Sequence, residues 1–248
     1  RFVTLIGNTE GKVERALYYI KSMLSGWAEG LIITLTWEMI QPEVLDSLRR
    51  GRVPIVGLAG ARIIPEYDAV IPDDPQGAFD AVKYLLGLGH RNIGFIGVQE
   101  SQSTTLRLEG YQRALEEAGL EIQKDLIMLG RNYEQANGYI LAKALLHRSP
   151  RPTALFCYND VMAMGAVSAL HEEHIRIPEE MSVLGFDDTA GSYCYPQLTS
   201  VALPKTEMGF LAASLLLERV RGKDTSPEVI TVRPRLVVRD STGPVLGP

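Results

Sequence analysis

Short β-branched and aliphatic runs alternate with segments of helical apolar spacing along almost the whole of this 248-residue chain. That alternation calls for parallel strands covered by helices, an α/β fold. The expected strands run from Phe2 to Ile6, Leu31 to Leu35, Pro54 to Leu58, Ala69 to Ile71, Asn92 to Gly97, Leu126 to Leu129, Ala154 to Cys157 and Ser182 to Phe186. Helices are expected from Val13 to Ala28, Ala78 to Leu88, Leu106 to Ala118, Asn137 to Leu146 and Val161 to His171, with Gly89 and Gly119 as C-terminal caps. The rhythm breaks near the end. An extended Leu198 to Leu203 leads into a helix from Glu207 to Val220, and two strand-like runs then flank Pro234, a residue suited to an edge or bend. With no internal repeat and no low-complexity linker, any boundary between lobes is crossed by short, hinge-like segments.

Composition narrows the function. At 46% hydrophobic and 22% charged residues the chain can bury a large core. A net charge of −5 gives no electrostatic footprint for a phosphate backbone, so this segment alone is not expected to hold DNA. Cys157 and Cys194 lack CxxC spacing and a nearby histidine, which argues for inert thiols and against a zinc site or a disulfide. No apolar run approaches the roughly 20 residues that span a bilayer, and the cytoplasm is the expected location. No metal or cofactor is expected.

Three polar clusters fall at the expected carboxyl ends of strands, where ligands bind in open α/β sheets. In Cys157-Tyr158-Asn159-Asp160, Asp160 is placed to cap the helix that follows, and a cap is the plain alternative to ligand contact for both residues, more so for Asp160 than for Asn159. In Gly185-Phe186-Asp187-Asp188, successive side chains of an extended segment diverge, so the two carboxylates are not expected to act as a pair: Asp187 accepts from a ligand and Asp188 serves the turn. The third cluster is a hydroxyl-rich helix start, Ser101 to Thr105, with Arg107 one turn in. That guanidinium can fork onto a carboxylate, a phosphate or vicinal hydroxyls, or pair with a neighbouring acid such as Glu109.

The segments Leu88-Gly89-His90-Arg91-Asn92-Ile93-Gly94-Phe95-Ile96-Gly97, Arg107-Leu108-Glu109-Gly110-Tyr111, Tyr158-Asn159-Asp160-Val161-Met162-Ala163-Met164-Gly165-Ala166, Val183-Leu184-Gly185-Phe186-Asp187-Asp188 and Pro196-Gln197-Leu198-Thr199-Ser200-Val201 follow one another in this order. Together they resemble the consecutive signatures of LacI/GalR transcription regulators, and the resemblance runs to Leu236-Val237-Val238-Arg239-Asp240-Ser241-Thr242. It implies the effector-binding part of such a regulator: two Rossmann-like lobes of the type I periplasmic-binding-protein kind, joined by three crossovers. The first lobe would comprise residues 1–71 and 204–224, the second 72–203 and 225–248. It also implies a small polar effector, sugar or nucleobase-like, held in a cleft by Arg107, Asn159 and Asp187, with Tyr133 packing against it and Ser101 and Ser103 as lesser contacts. The implied partners are DNA, only through a head domain outside this chain, and a second copy, paired through Val161 to Leu170 and Gly191 to Pro196, with Met162, Met164, Tyr193 and Tyr195 at the interface or in the core.

Departures from the family pattern bear on the ligand. Ala59 stands where sugar-responsive members often carry aspartate, and Leu203 where glutamine is usual, so no hexose is named. Phe2 to Gly7 resembles the family's second strand, so the opening strand-helix unit of roughly 30 residues is expected to be missing. Two other classes are weighed. A solute-binding protein for a sugar transporter shares the fold but lacks the regulator signatures. A hydrolase would pair Asp187 and Asp188 with His90, His147, His171 or His174, yet no nucleophile elbow, phosphate loop or His-Glu-x-x-His accompanies them.

Overall fold

Alternation inside single strands decides how each sheet is covered. In strand β6 (Ala154–Cys157), Ala154 and Phe156 enter the core on one face while Leu155 and Cys157 enter the core on the other, so a continuous apolar run buries both sides. The computed structural model describes residues 2–36, 40–59 and 63–245. It forms two compact units, one of 1–72 with 205–232 and one of 73–204 with 233–248.

The first unit is a parallel sheet in the order β1 (Leu31–Ile33), β2 (Ile55–Leu58), β3 (Asp68–Pro72), β9 (Val229–Val232). Helices α1 (Val13–Ser22) and α2 (Pro42–Arg50) bury Ala16, Ile20, Val44 and Leu48 with Ile55. On the other face α7 (Lys205–Val220) buries Met208, Ala212 and Leu215 against Val56 and Val70. Arg219 makes a bidentate pair with the buried Asp68 at 2.7 Å for both bonds and also bonds the carbonyls of Thr225 and Ser226, which fixes the turn into β9.

The second unit carries the six-stranded order β10 (Arg235–Val237), β8 (Thr199–Ala202), β7 (Ser182–Asp187), β6, β4 (Ile93–Val98), β5 (Ile127–Gly130), parallel except for β10. One face is covered by α3 (Asp74–Gly87) and α4 (Gln102–Glu117), the other by α5 (Gln135–Leu146) and α6 (Asp160–Glu172). Gly110 sets the approach of α4 to α3: a Cβ there would stand 2.1 Å from the carbonyl oxygen of Pro75.

Several expectations are corrected. Phe2 to Ile6 is not a strand; Phe2, Val3, Leu5 and Ile6 are exposed, and an extended segment without a ladder partner gains no strand stability. Helix α2 was not expected, although Pro42 at its first turn and the i, i+4 pair Val44 and Leu48 mark it. The helix from Val13 ends as α at Ser22 and continues as a π turn, Met23–Trp27, in which Gly26 takes φ 108°. The expected lobe division put 225–232 in the second lobe, but β9 pairs with β3, and those residues belong with the first unit.

Candidate functional site

Parallel pairing brings the carboxyl ends of β4, β5, β6 and β7 to one edge of the second unit's sheet. That edge carries Ser101 and Ser103 after β4, Tyr133 after β5, Tyr158 and Asn159 after β6, and Asp187 at the end of β7. Arg107 reaches the same edge from the second turn of α4, so all six candidates, Ser101, Ser103, Arg107, Tyr133, Asn159 and Asp187, share it, beside Tyr158.

Arg107 is the centre of the cluster. Its side chain is only 5% exposed, and its Nη2 donates to Asp187 Oδ1 at 3.3 Å while Nη1 donates to the carbonyl of Tyr158. The guanidinium carbon lies 3.8 Å from the Phe186 ring centroid and 4.7 Å from that of Tyr158. A second carboxylate, Asp74 at the start of α3, sits 3.4 Å from Nε. This is an ion pair without hydrogen-bond alignment. Arg107 Nε and Asp74 Oδ1 are buried atoms with no hydrogen-bond partner among the described residues. Burial pushes the Asp74 carboxyl above the ordinary range, against the pull of Arg107. Asp74 was absent from the expected site because nothing local in Asp73-Asp74-Pro75 distinguishes it from a helix cap. Its neighbour Asp73 does that work, accepting from Gln76 N–H.

The remaining candidates are less buried or otherwise engaged. Asn159, not Asp160, is the N-cap of α6, its Oδ1 accepting from Met162 N–H at 2.9 Å. Asp160 is fully buried and turned to the loop after β7. Ser101 caps α4 and its hydroxyl reaches Tyr158 Oη at 3.5 Å; Ser103, half-buried, sits in the first turn. Tyr133 is 46% exposed between β5 and α5. Asp187 and Asp188 take φ 90° and 46°, both left-handed, and their side chains separate: Asp187 toward Arg107, Asp188 onto Arg239 at 2.8 Å. With a side chain 26% exposed, Asp187 is the accessible end of the buried charge cluster. Ala59, at the end of β2, is likewise left-handed, φ 47°.

The histidines lie elsewhere. His90 is buried at the opposite edge, within 3.0 Å of Ser182 Oγ, at the first residue of β7. Asp187 is the last residue of that strand, roughly 16 Å away. His147 and His171 stand at the C-terminal ends of α5 and α6, which return to that same opposite edge. Met162 is fully buried core, whereas Tyr193 and Tyr195 are 90% and 88% exposed. Among the described residues no group of three or more His, Cys, Asp or Glu converges as a metal ion requires, and no helix is long and apolar enough to cross a membrane.

Comparison with known proteins matches residues 82–242 to the periplasmic binding protein-like domain. The HTH-type transcriptional repressor PurR of Escherichia fergusonii is 34% identical over 244 residues, covering 97% of this chain and 71% of that protein. Among solved structures, a LacI family transcriptional regulator from Enterococcus faecium with bound ribose superposes with a TM-score of 0.81 at 28% identity, covering 93% of this chain and 85% of that one. A sugar-binding LacI family regulator from Escherichia coli complexed with phosphate gives 0.80 at 32% identity, covering 96% and 86%.

Proposed function

Because this chain belongs to the LacI-type regulators, whose effector-binding domain is periplasmic-binding-protein-like, we propose that it binds an uncharged polyhydroxyl or nucleobase-like metabolite at the carboxyl edge of its second unit. The carrying observation is the charge balance at Arg107. One guanidinium already faces two carboxylates, Asp74 and Asp187, and lies against two aromatic rings, Phe186 and Tyr158. An anionic ligand would meet Asp187 first and gain little from a cation that is already neutralised. A neutral ligand offering adjacent donors satisfies Asp187 while Arg107 holds that carboxylate in place. Asn159 spends its oxygen on the helix cap, so its amide N–H groups are what it offers a ligand, and Tyr133 supplies an apolar face.

The site senses and performs no chemistry: the histidines that would have to work with Asp187 stand at the other edge of the sheet. Ligand-dependent stabilisation of one conformation would shift an equilibrium read by a DNA-binding region of the regulator. A second copy pairs through the surface that exposes Tyr193 and Tyr195, in the cytoplasm; sedimentation as a monomer at micromolar concentration would remove the dimer.

A thermal-shift panel tests the ligand class, with ribose, hexoses, nucleosides and purine bases set against their phosphorylated forms. Binding at a hundredfold excess over Kd stabilises by about 2.7 kcal/mol. A neutral hit lost in Asp187→Asn supports the reading, whereas preferential stabilisation by phosphorylated forms overturns the charge argument.

A further inference from the structure

The loop that presents Asp187 does so in a backbone conformation that its own residues disfavour. Asp187 and Asp188 are consecutive non-glycine residues with positive φ, 90° and 46°, and such a pair persists only where its surroundings enforce it. One buried group holds the whole turn. Asp160 Oδ2 accepts from the backbone N–H of Thr189 at 2.7 Å and of Ala190 at 3.1 Å. Its Oδ1 accepts from the Ser200 hydroxyl at 2.5 Å, and Ser200 Oγ in turn accepts from Asp188 N–H at 3.2 Å. Three successive amides of the loop therefore end on a single carboxylate, two directly and one through a hydroxyl.

The fold around Asp160 is shaped for this role. Asn159 caps α6, which leaves the Asp160 side chain free of any helix duty. Gly185 leaves room for it, since a Cβ there would stand 2.5 Å from Asp160 Oδ1. On the far side of the loop, Arg239 bonds the Asp188 carboxylate at 2.8 Å and the Leu198 carbonyl at 2.7 Å, so the second aspartate is drawn away from Arg107.

We infer that Asp160 and Ser200 form a positioning pair that locks the Asp187–Asp188 turn in its left-handed form and so aims the Asp187 carboxylate at Arg107 and the ligand. Without the lock, the turn relaxes toward right-handed backbone angles and the Asp187 carboxylate swings off the guanidinium. The buried cost of the Asp160 carboxylate, whose proton affinity is raised by desolvation, is thereby spent on geometry rather than on core packing.

The inference rests on reading Asp187 as the ligand acceptor, and its test needs no ligand, so the two fail separately. In the full chain, Ser200→Ala removes the relay and keeps two of the three amide bonds; Asp160→Asn perturbs all three. Backbone amide exchange by NMR should show protection at Asp188 falling by about tenfold or more in Ser200→Ala, and at Thr189 and Ala190 as well in Asp160→Asn, with the amides of β6 and β7 changed less than about twofold. The Arg107 side-chain N–H resonances report the Asp187 contact directly and should shift in both variants. Unchanged Arg107 resonances in both, or protection lost equally across β6 and β7, would make Asp160 an ordinary core residue and overturn the proposal. Should Asp160→Asn fail to fold, Ser200→Ala alone decides.

Discussion

The two edges of the second unit's sheet each bury a polar cluster, and they are built on opposite terms. At the amino-terminal edge His90 Nε2 lies 3.1 Å from the Gly243 carbonyl, which can only accept, so in the neutral ring this nitrogen carries the proton and Nδ1 accepts from the Thr153 hydroxyl at 2.9 Å. Ser182, Thr199, Ser241 and Thr242 extend the cluster, with Thr199 bonded to Thr242 at 2.8 Å and Ser241 to the Val183 carbonyl at 2.6 Å. Each of these side chains bonds a partner, and the network ties the C-terminal segment to the strand starts. At the carboxyl edge, Arg107 and Asp74 retain unsatisfied buried atoms, Glu100, Asp187 and Asp188 hold positive φ, and the Asp187 carboxylate is partly exposed. Complete satisfaction marks an edge that holds the fold together. Incomplete satisfaction with enforced geometry is what the proposed ligand-binding edge calls for.

Substitutions should separate the two edges. The largest expected effect is at Arg107: Arg107→Ala strands Asp74 in the core and should lower stability by about 3–5 kcal/mol in denaturant unfolding. Adding Asp74→Asn should recover part of that loss without restoring ligand-dependent stabilisation; no recovery would mean that Asp74 is not the counter-ion. Next, His90→Ala leaves Ser182, Thr153 and the Gly243 carbonyl short of a partner and should cost about 2–3 kcal/mol while the thermal shift on ligand addition stays at the unmodified value. A lost ligand response in that variant would dissolve the distinction between the edges. Asp187→Asn reverses the pattern, with about 1 kcal/mol of stability change and loss of the ligand response.

The smallest effect is in pH dependence. Burial holds the His90 ring below its ordinary value of 6.5, so between the folded value and 6.5 the unfolded chain binds more protons than the folded one. The stability contributed by the neutral ring is complete above pH 6.5 and is lost as pH falls from there toward the folded value. Urea unfolding between pH 7 and pH 5 should show this decline, at no more than about 1.4 kcal/mol per pH unit, and His90→Gln should flatten it. An unchanged slope in that variant would assign the pH dependence to other groups.

Much of the carboxyl edge is legible in the sequence, because polar residues directly after an apolar strand lie at its carboxyl end whenever the pairing is parallel. Tyr158-Asn159, Asp187 and the Ser101 helix start are found this way, and the alternation in Ala154–Cys157 and its neighbours reveals the parallel class. The amino-terminal edge is not. His90 sits in a Gly-His-Arg turn that reads as surface, and only the crossing of the C-terminal segment over the strand starts buries it. The misplacement of Asp160 as a cap has the same origin: Asn159 and Asp160 are equally good caps by chemistry, and the difference lies in Thr189, Ala190 and Ser200, which arrive from elsewhere in the chain.

Periodicity and order by themselves determined the α/β class, the sequence of elements from β4 to α7 and the edge that gathers the candidate polar residues, since these depend on local spacing and on the direction of parallel strands. Tertiary structure decided the rest. The pairing of Asp74 with Arg107, the return of β9 to the first unit and the left-handed turn at Asp187 and Asp188 depend on residues remote in sequence. A contact between such residues is set by how closely helices approach, as at Gly110 against Pro75, and no local pattern encodes that distance.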